Sequence, residues 1–130
     1  MRILLVQPEY VSKGIGFRLA ALTEPLHLEL LAALVPDHDV RILDLRLDSD
    51  LAGALAEFQP DLVGVTALTP EVYAALAVLR QAKAFSSGIF TVAGGHHATL
   101  LPEDFLVTGV DAVALGEAEV VFPPLVRAVA

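Results

Sequence analysis

The sequence predicts a doubly wound α/β fold: a five-stranded parallel sheet in the order 2-1-3-4-5, sandwiched between helices as three α/β/α layers. Two observations carry this. Five short β-rich apolar runs alternate with helical stretches, and such alternation with short connections implies right-handed crossovers and a parallel sheet. The runs also show little polar alternation, and hydrophobic residues make up 55% of the chain against 18% charged. Strands covered on both faces have that composition.

The predicted strands are Ile3–Gln7, Val40–Leu45, Leu62–Thr66, Ile89–Ala93 and Ala112–Leu115. The fifth, Ala-Val-Ala-Leu, is the weakest and reads as an edge. Between strands 1 and 2, Thr23 stands before Glu24-Pro25, and Leu26, Leu30, Leu31 and Leu34 follow at helical spacing. Thr69 precedes Pro70-Glu71 in the same way, with Val72, Leu76 and Leu79 as the buried stripe. Threonine before proline and an acid is N-cap chemistry, because the hydroxyl accepts a free N–H and proline has no donor to lose there. Asp48 or Asp50 opens a shorter helix carrying Leu51, Leu55 and Phe58, and a further short helix is expected after Pro102. Pro123-Pro124 fits only a first turn, so the last helix is expected to start near Val121.

At 130 residues the chain is expected to form one domain over residues 1–130, burying roughly two thirds of its unfolded surface. It has no cysteine, which excludes a disulfide scaffold, an iron–sulfur cluster, a thiol nucleophile and a Cys-type zinc site within it. A net charge of −8 repels phosphodiester backbones, so no nucleic-acid partner is expected. Every apolar run is interrupted short of the ~18 residues that span a bilayer. Met1-Arg2-Ile3-Leu4-Leu5-Val6 lacks the apolar core and cleavage site of a signal peptide. A cytoplasmic location and no membrane partner are therefore expected.

In sheets of this order ligands bind beyond the carboxyl ends of the strands, where the strand order reverses between strands 1 and 3. Four segments meet at that rim: Pro8–Phe17, Ala67–Pro70, Gly94–Thr99 and Gly116–Glu119. His38 falls on the opposite rim, among strand starts, and reads as a solvated turn residue. Gly14-Ile15-Gly16-Phe17-Arg18-Leu19 has leucine where a dinucleotide fingerprint needs its third glycine. Gln7-Pro8 and Thr66 stand where a phospho-receiver needs carboxylates, so that activity is excluded.

Gly94-Gly95-His96-His97-Ala98-Thr99 is the most pointed segment. Paired glycines let a ligand lie against bare backbone. Adjacent histidines on an extended loop point apart, so they read as ligand contacts or exposed residues rather than a metal site. Glu117 and Glu119 suit a helix N-terminus. His27 reads as a surface or half-buried helical residue. No catalytic constellation is present.

As a set these segments resemble the cobalamin (B12)-binding domain at the N-terminus of many cobalamin-dependent radical SAM enzymes. The resemblance covers nearly the whole length. It runs from Ile3-Leu4-Leu5-Val6-Gln7-Pro8, through Thr23-Glu24-Pro25-Leu26 and Leu30-Leu31-Ala32-Ala33-Leu34, to Pro60–Thr66. Its most specific parts are Gly94-Gly95-His96-His97-Ala98-Thr99 with Pro102-Glu103, and Gly116-Glu117-Ala118-Glu119 with Phe122. The resemblance implies that Thr66, Ala67 and Leu68 contact the nucleotide tail and that Gly94 and Gly95 make room for it. It places His96, His97, Gly116 and Glu117 on the rim, and Tyr10 and Lys13 on the cobalt-facing loop.

Gln7–Phe17 has no histidine, so the resemblance also implies base-off cobalamin with no protein imidazole on cobalt. Ala118 departs from the family's second glycine. The chain lacks a Cys-x-x-x-Cys-x-x-Cys motif, so S-adenosylmethionine and an iron–sulfur cluster would belong to a radical SAM partner domain, in a methyltransferase or a cyclase-type enzyme. The uncapped end at Arg127-Ala128-Val129-Ala130 raises the expectation of a domain cut from a longer enzyme. Two readings compete: a protein-interaction or regulatory module without cofactor, and a nucleotide or flavin binder in the same cleft.

Overall fold

A computed structural model of the protein describes residues 1–9 and 22–130. Five strands form one sheet: β1 (Arg2–Gln7), β2 (Asp39–Asp44), β3 (Leu62–Thr66), β4 (Phe90–Gly94) and β5 (Ala112–Val113). Their order is β2-β1-β3-β4-β5 and every pairing is parallel. The predicted topology is therefore the observed one. The chain leaves β1 toward β2 and returns on the other side to β3, which puts the order reversal between β1 and β3.

Alternation along each strand feeds two cores. Ile3 and Leu5 join Leu62 and Val92 on one face, under Leu28, Leu31 and Val35 and under Phe122 and Val126. Those residues come from or adjoin α1 (Leu26–Ala33) and α5 (Ala118–Val129). Leu4, Val6, Val63 and Val65 point the other way, onto α2 (Leu51–Phe58) and α3 (Val72–Phe85). Leu51, Leu55 and Phe58 are buried as predicted, and so are Val72, Leu76 and Leu79. The β1 and β3 interiors are buried on both faces, whereas β2 is only half-covered at the sheet's edge.

The helix ends differ from expectation. Helix α1 begins at Leu26 with no side-chain cap bond, so Thr23 does not cap it. It buries Leu28 and Leu31, leaving Leu26, Leu30 and Leu34 exposed. Thr69 lies inside a 3-10 turn, Thr69–Glu71, whose opening N–H on Leu68 is accepted by the Glu71 carboxylate. Asp50 is the true cap of α2, accepting from Gly53 N–H at 2.8 Å. Helix α5 starts at Ala118 rather than Val121 and carries Pro123 and Pro124 within it. Burial of Phe122 and Val126, at 3% and 0% exposure, holds the helix where two missing donors would otherwise break it. After β4 the chain enters α4 (His96–Leu100) and then a 3-10 turn, Pro102–Phe105, pinned by fully buried Phe105. His38 stands in the turn before β2, but it is half-buried and its Nδ1 has no partner among the described residues.

Candidate functional site

A cleft of about 470 Å³ opens at the carboxyl edge, between the sheet and the helices α1 and α5. Its floor is apolar: Leu5, Gly64, Val92, Ala114 and Phe122, with Leu28 and Leu31 as one wall. The volume and the mix of apolar floor and polar rim are those of a small-molecule site. Gly64 matters to the floor. A Cβ on it would stand 3.0 Å from Leu5 Cδ2 and 3.4 Å from Val92 Cγ1. A glycine in mid-strand opens space there that any side chain would take.

The strip after β3 borders the cleft through Thr66 and Leu68. Ala67 N–H donates to Gly94 O at 3.1 Å, and Ala67 O accepts from His97 N–H at 3.0 Å. Gly95 makes this approach possible. It sits at φ +94°, and a Cβ on it would lie 2.5 Å from Thr66 Oγ1 and 2.9 Å from Ala67 N. The glycine is therefore required by the protein's own packing, whereas a Cβ on Gly94 would meet Ala114 Cβ at an ordinary 3.6 Å. Thr99 Oγ1 accepts from Gly116 N–H at 3.0 Å, which ties α4 to the turn after β5.

Charge gathers at one side of the cleft. The Arg46 guanidinium grips Asp44 through Nε at 2.8 Å and Nη2 at 2.6 Å, and also donates to Thr23 O. Those hydrogen bonds hold the Asp44 carboxyl below its usual range, against partial burial. Glu71 is buried beside the cleft, at 5% exposure. It accepts from Gln7 Nε2 at 3.3 Å and from Leu68 N–H at 2.9 Å. Burial raises its pKa, with the Leu68 N–H and the Arg46 charge opposing. His27 lines the cleft from the first turn of α1, and desolvation together with Arg46 lowers its pKa.

Of the residues singled out from sequence, Thr66, Leu68, Gly94, Gly95 and His96 converge on the cleft. Ala67 is buried and serves through its backbone. His96 and His97 open a helix instead of an extended loop, so the pair divides. His96 faces the cleft, while His97 is buried at 3% exposure away from its lining. His97 Nε2 pairs with Asp104 Oδ2 at 2.8 Å and Nδ1 with Thr69 Oγ1 at 3.1 Å, and its ring stands edge-on to Phe105. Gly116, at φ +77°, and Glu117, the cap position of α5, lie outside the lining. Glu119, in the first turn of α5, lies within it. Tyr10 and Lys13 fall outside the described residues.

Sequence reasoning missed Gly64, Glu71, His27 and Arg46. Arg46 follows β2, whose carboxyl end belongs to the same rim as the four segments that were considered. No group of three or more His, Asp or Glu able to hold a metal ion occurs among the described residues. Nor is any helix among them long and apolar enough to cross a membrane.

Comparison with known proteins agrees with the fold. An uncharacterised methyltransferase of Pyrococcus horikoshii is 41% identical over 98% of this chain, and an anaerobic magnesium-protoporphyrin IX monomethyl ester cyclase of Rubrivivax gelatinosus is 34% identical over 99%. The chain spans 29% and 24% of their lengths. Among solved structures, OxsB, a cobalamin-dependent S-adenosylmethionine radical enzyme with aqua-cobalamin and S-adenosylmethionine bound, superposes with a TM-score of 0.76 at 16% identity. That superposition covers 98% of this chain and 18% of OxsB. A cobalamin-binding protein from Desulfitobacterium hafniense superposes at 0.60 and 12% identity, covering 99% of this chain and 58% of the other. The B12 binding domain family matches residues 12–126. The chain belongs to that B12-binding family, and cobalamin is its cofactor.

Proposed function

We propose that the chain holds base-off cobalamin, with the nucleotide tail in the apolar cleft, and presents it to a radical SAM domain for methyl transfer or a cyclase-type reaction. The observation that carries this is the floor of the cleft, where Gly64 leaves room beneath Thr66 and Leu68. A flat heteroaromatic base suits a slot lined by Leu5, Val92, Ala114 and Phe122. The polar rim suits the sugar and amide groups of the cofactor, which need hydrogen bonds once they leave water.

In this reading the cofactor supplies the organometallic chemistry at cobalt, and the protein supplies binding and orientation. Thr66 and Leu68 contact the tail, and Gly94 leaves backbone open to it. Gly95 keeps the strip seated, while Glu71 fixes the Leu68 N–H. Tyr10 and Lys13 stay assigned to the cobalt-facing loop, and Gly116 and Glu117 to the outer rim. The chain is the cobalamin-carrying part of a longer cytoplasmic enzyme, a reading supported by the fraction of each relative that it spans. Exposed Leu26, Leu30 and Leu34 on α1 suit a face covered by the rest of such an enzyme.

The test is retention of pigment after desalting from hydroxocobalamin, compared with cobinamide, which lacks the nucleotide tail. Cobalamin is expected to be retained, and cobinamide to bind at least about tenfold more weakly, a difference of ~1.4 kcal/mol. Equal affinity for both would remove the tail from the cleft. No retention of either would leave the interaction-module reading in its place.

A further inference from the structure

We infer that His97 is a positioning residue for the cofactor: it holds the strip of residues 66–69 against the nucleotide tail without touching the tail itself. This rests on the cobalamin reading and revises one expectation drawn from sequence. His97 acts from beneath the rim instead of standing on it.

His97 grips the strip at two points. Its backbone N–H donates to Ala67 O at 3.0 Å, and its ring Nδ1 stands 3.1 Å from Thr69 Oγ1. Between those points lies Leu68, which lines the cleft and is 55% exposed. Core packing does not hold a leucine that open, so the backbone on either side of it sets its place. The Glu71 carboxylate takes the Leu68 N–H, and His97 takes the residues before and after it. Among the described residues the Thr69 hydroxyl has no other partner. The ring is itself seated from its far side, where Nε2 lies 2.8 Å from Asp104 Oδ2 and Phe105 meets it edge-on. A carboxylate only accepts, so Nε2 carries the proton, and in the neutral ring Nδ1 accepts from the Thr69 hydroxyl. Asp104 thereby sets which nitrogen faces the strip. His97 is buried, and burial strengthens a bond that water would otherwise compete for.

Visible titrations with hydroxocobalamin and with cobinamide test this, because only the first carries the tail. A merely structural role weakens both ligands together, whereas a positioning role weakens cobalamin alone. Thr69→Val keeps the shape of an exposed side chain and removes its hydroxyl. It is expected to weaken cobalamin about threefold or more, the scale of one neutral hydrogen bond, and to leave cobinamide unchanged. At position 97 two amides separate the bonds of the ring. His97→Asn puts an amide oxygen near the place of Nδ1, keeps a partner for Thr69, and is expected to retain the preference for cobalamin. His97→Gln reaches toward Asp104 instead and is expected to lose preference as Thr69→Val does. An unchanged preference in Thr69→Val, a preference lost alike in His97→Asn and His97→Gln, or both ligands weakened together would overturn the inference while leaving cobalamin binding intact. Unaltered protein that retains no pigment, or that binds both ligands equally, would instead overturn the reading of the cleft, and this inference with it.

Discussion

Gly95 lies so close to Thr66 that a Cβ on it would stand 2.5 Å from the threonine Oγ1. The same residue holds φ +94° and ψ −172°, a region essentially closed to residues with side chains. Gly95→Ala is therefore expected to destabilise the fold by about 1–3 kcal/mol from backbone strain alone, with further loss from displacing Ala67. Gly94→Ala meets only an ordinary contact with Ala114 and is expected to stay within about 1 kcal/mol of the parent, as most mild substitutions do. Urea denaturation of both variants measures the difference. Equal destabilisation would sink the argument that the second glycine is required by the fold.

Gly64 separates binding from folding more cleanly. Its missing side chain opens the cleft floor, and the nearest atoms to a new Cβ are the mobile ends of Leu5 and Val92. Gly64→Ala is expected to unfold no more than about 1–3 kcal/mol more easily, the usual range for overpacking. Gly64→Val, with a larger group in the floor, is expected to weaken cobalamin retention at least about tenfold. A visible titration of each folded variant decides this. Undiminished affinity in both would place the nucleotide tail elsewhere.

The sheet was legible because buried parallel strands leave unbroken Val/Ile/Leu runs, and all five fall close to those runs. Helix ends were less legible because tertiary packing overrides local signals. Thr23-Glu24-Pro25 has good capping chemistry, yet α1 starts beyond it. Pro123-Pro124 has poor helical chemistry, yet Phe122 and Val126 anchor a helix through it. At the site, Thr66, Leu68 and Gly94 through His96 were placed by the rule that ligands sit at the carboxyl edge. Gly64 carried its own signal, a glycine within a strand run. Arg46 and Glu71 carried none, since nothing local in Leu45-Arg46-Leu47 or Pro70-Glu71-Val72 tells which way those side chains turn.

His97 illustrates a residue whose role changed on folding. Its two ring nitrogens join Asp104 to Thr69, and Phe105 packs edge-on against it. This links α4 to the strip that carries Thr66 and Leu68. His97→Ala removes a buried ring and both hydrogen bonds, and is expected to destabilise by about 2–4 kcal/mol. His97→Phe restores the ring but not the bonds and is expected to recover roughly half of that loss. A denaturation midpoint for each variant gives the comparison. Full recovery by phenylalanine would mean that the hydrogen bonds contribute nothing.

Glu71 makes the pH dependence of stability predictable in sign. Burial raises its pKa in the folded state above the ordinary 4.5. The folded form therefore gains relative stability from the protonated acid below that value, and loses it as pH rises through the shifted one. At neutral pH the buried carboxylate opposes folding, and its bonds to Leu68 N–H and Gln7 only partly offset this. Glu71→Gln keeps an acceptor for Leu68 N–H and, after a turn of the Gln7 amide, a partner for Gln7. The variant is expected to match the parent near pH 4 and to melt at a higher temperature near pH 7. His27 acts with the opposite sign, since its lowered pKa makes the folded form lose stability as pH falls below the ordinary 6.5. The two proteins are therefore compared at each pH, where the His27 contribution is common to both. A Glu71→Gln protein that melts lower than the parent at pH 7 would show that the hydrogen bonds of the carboxylate outweigh its burial.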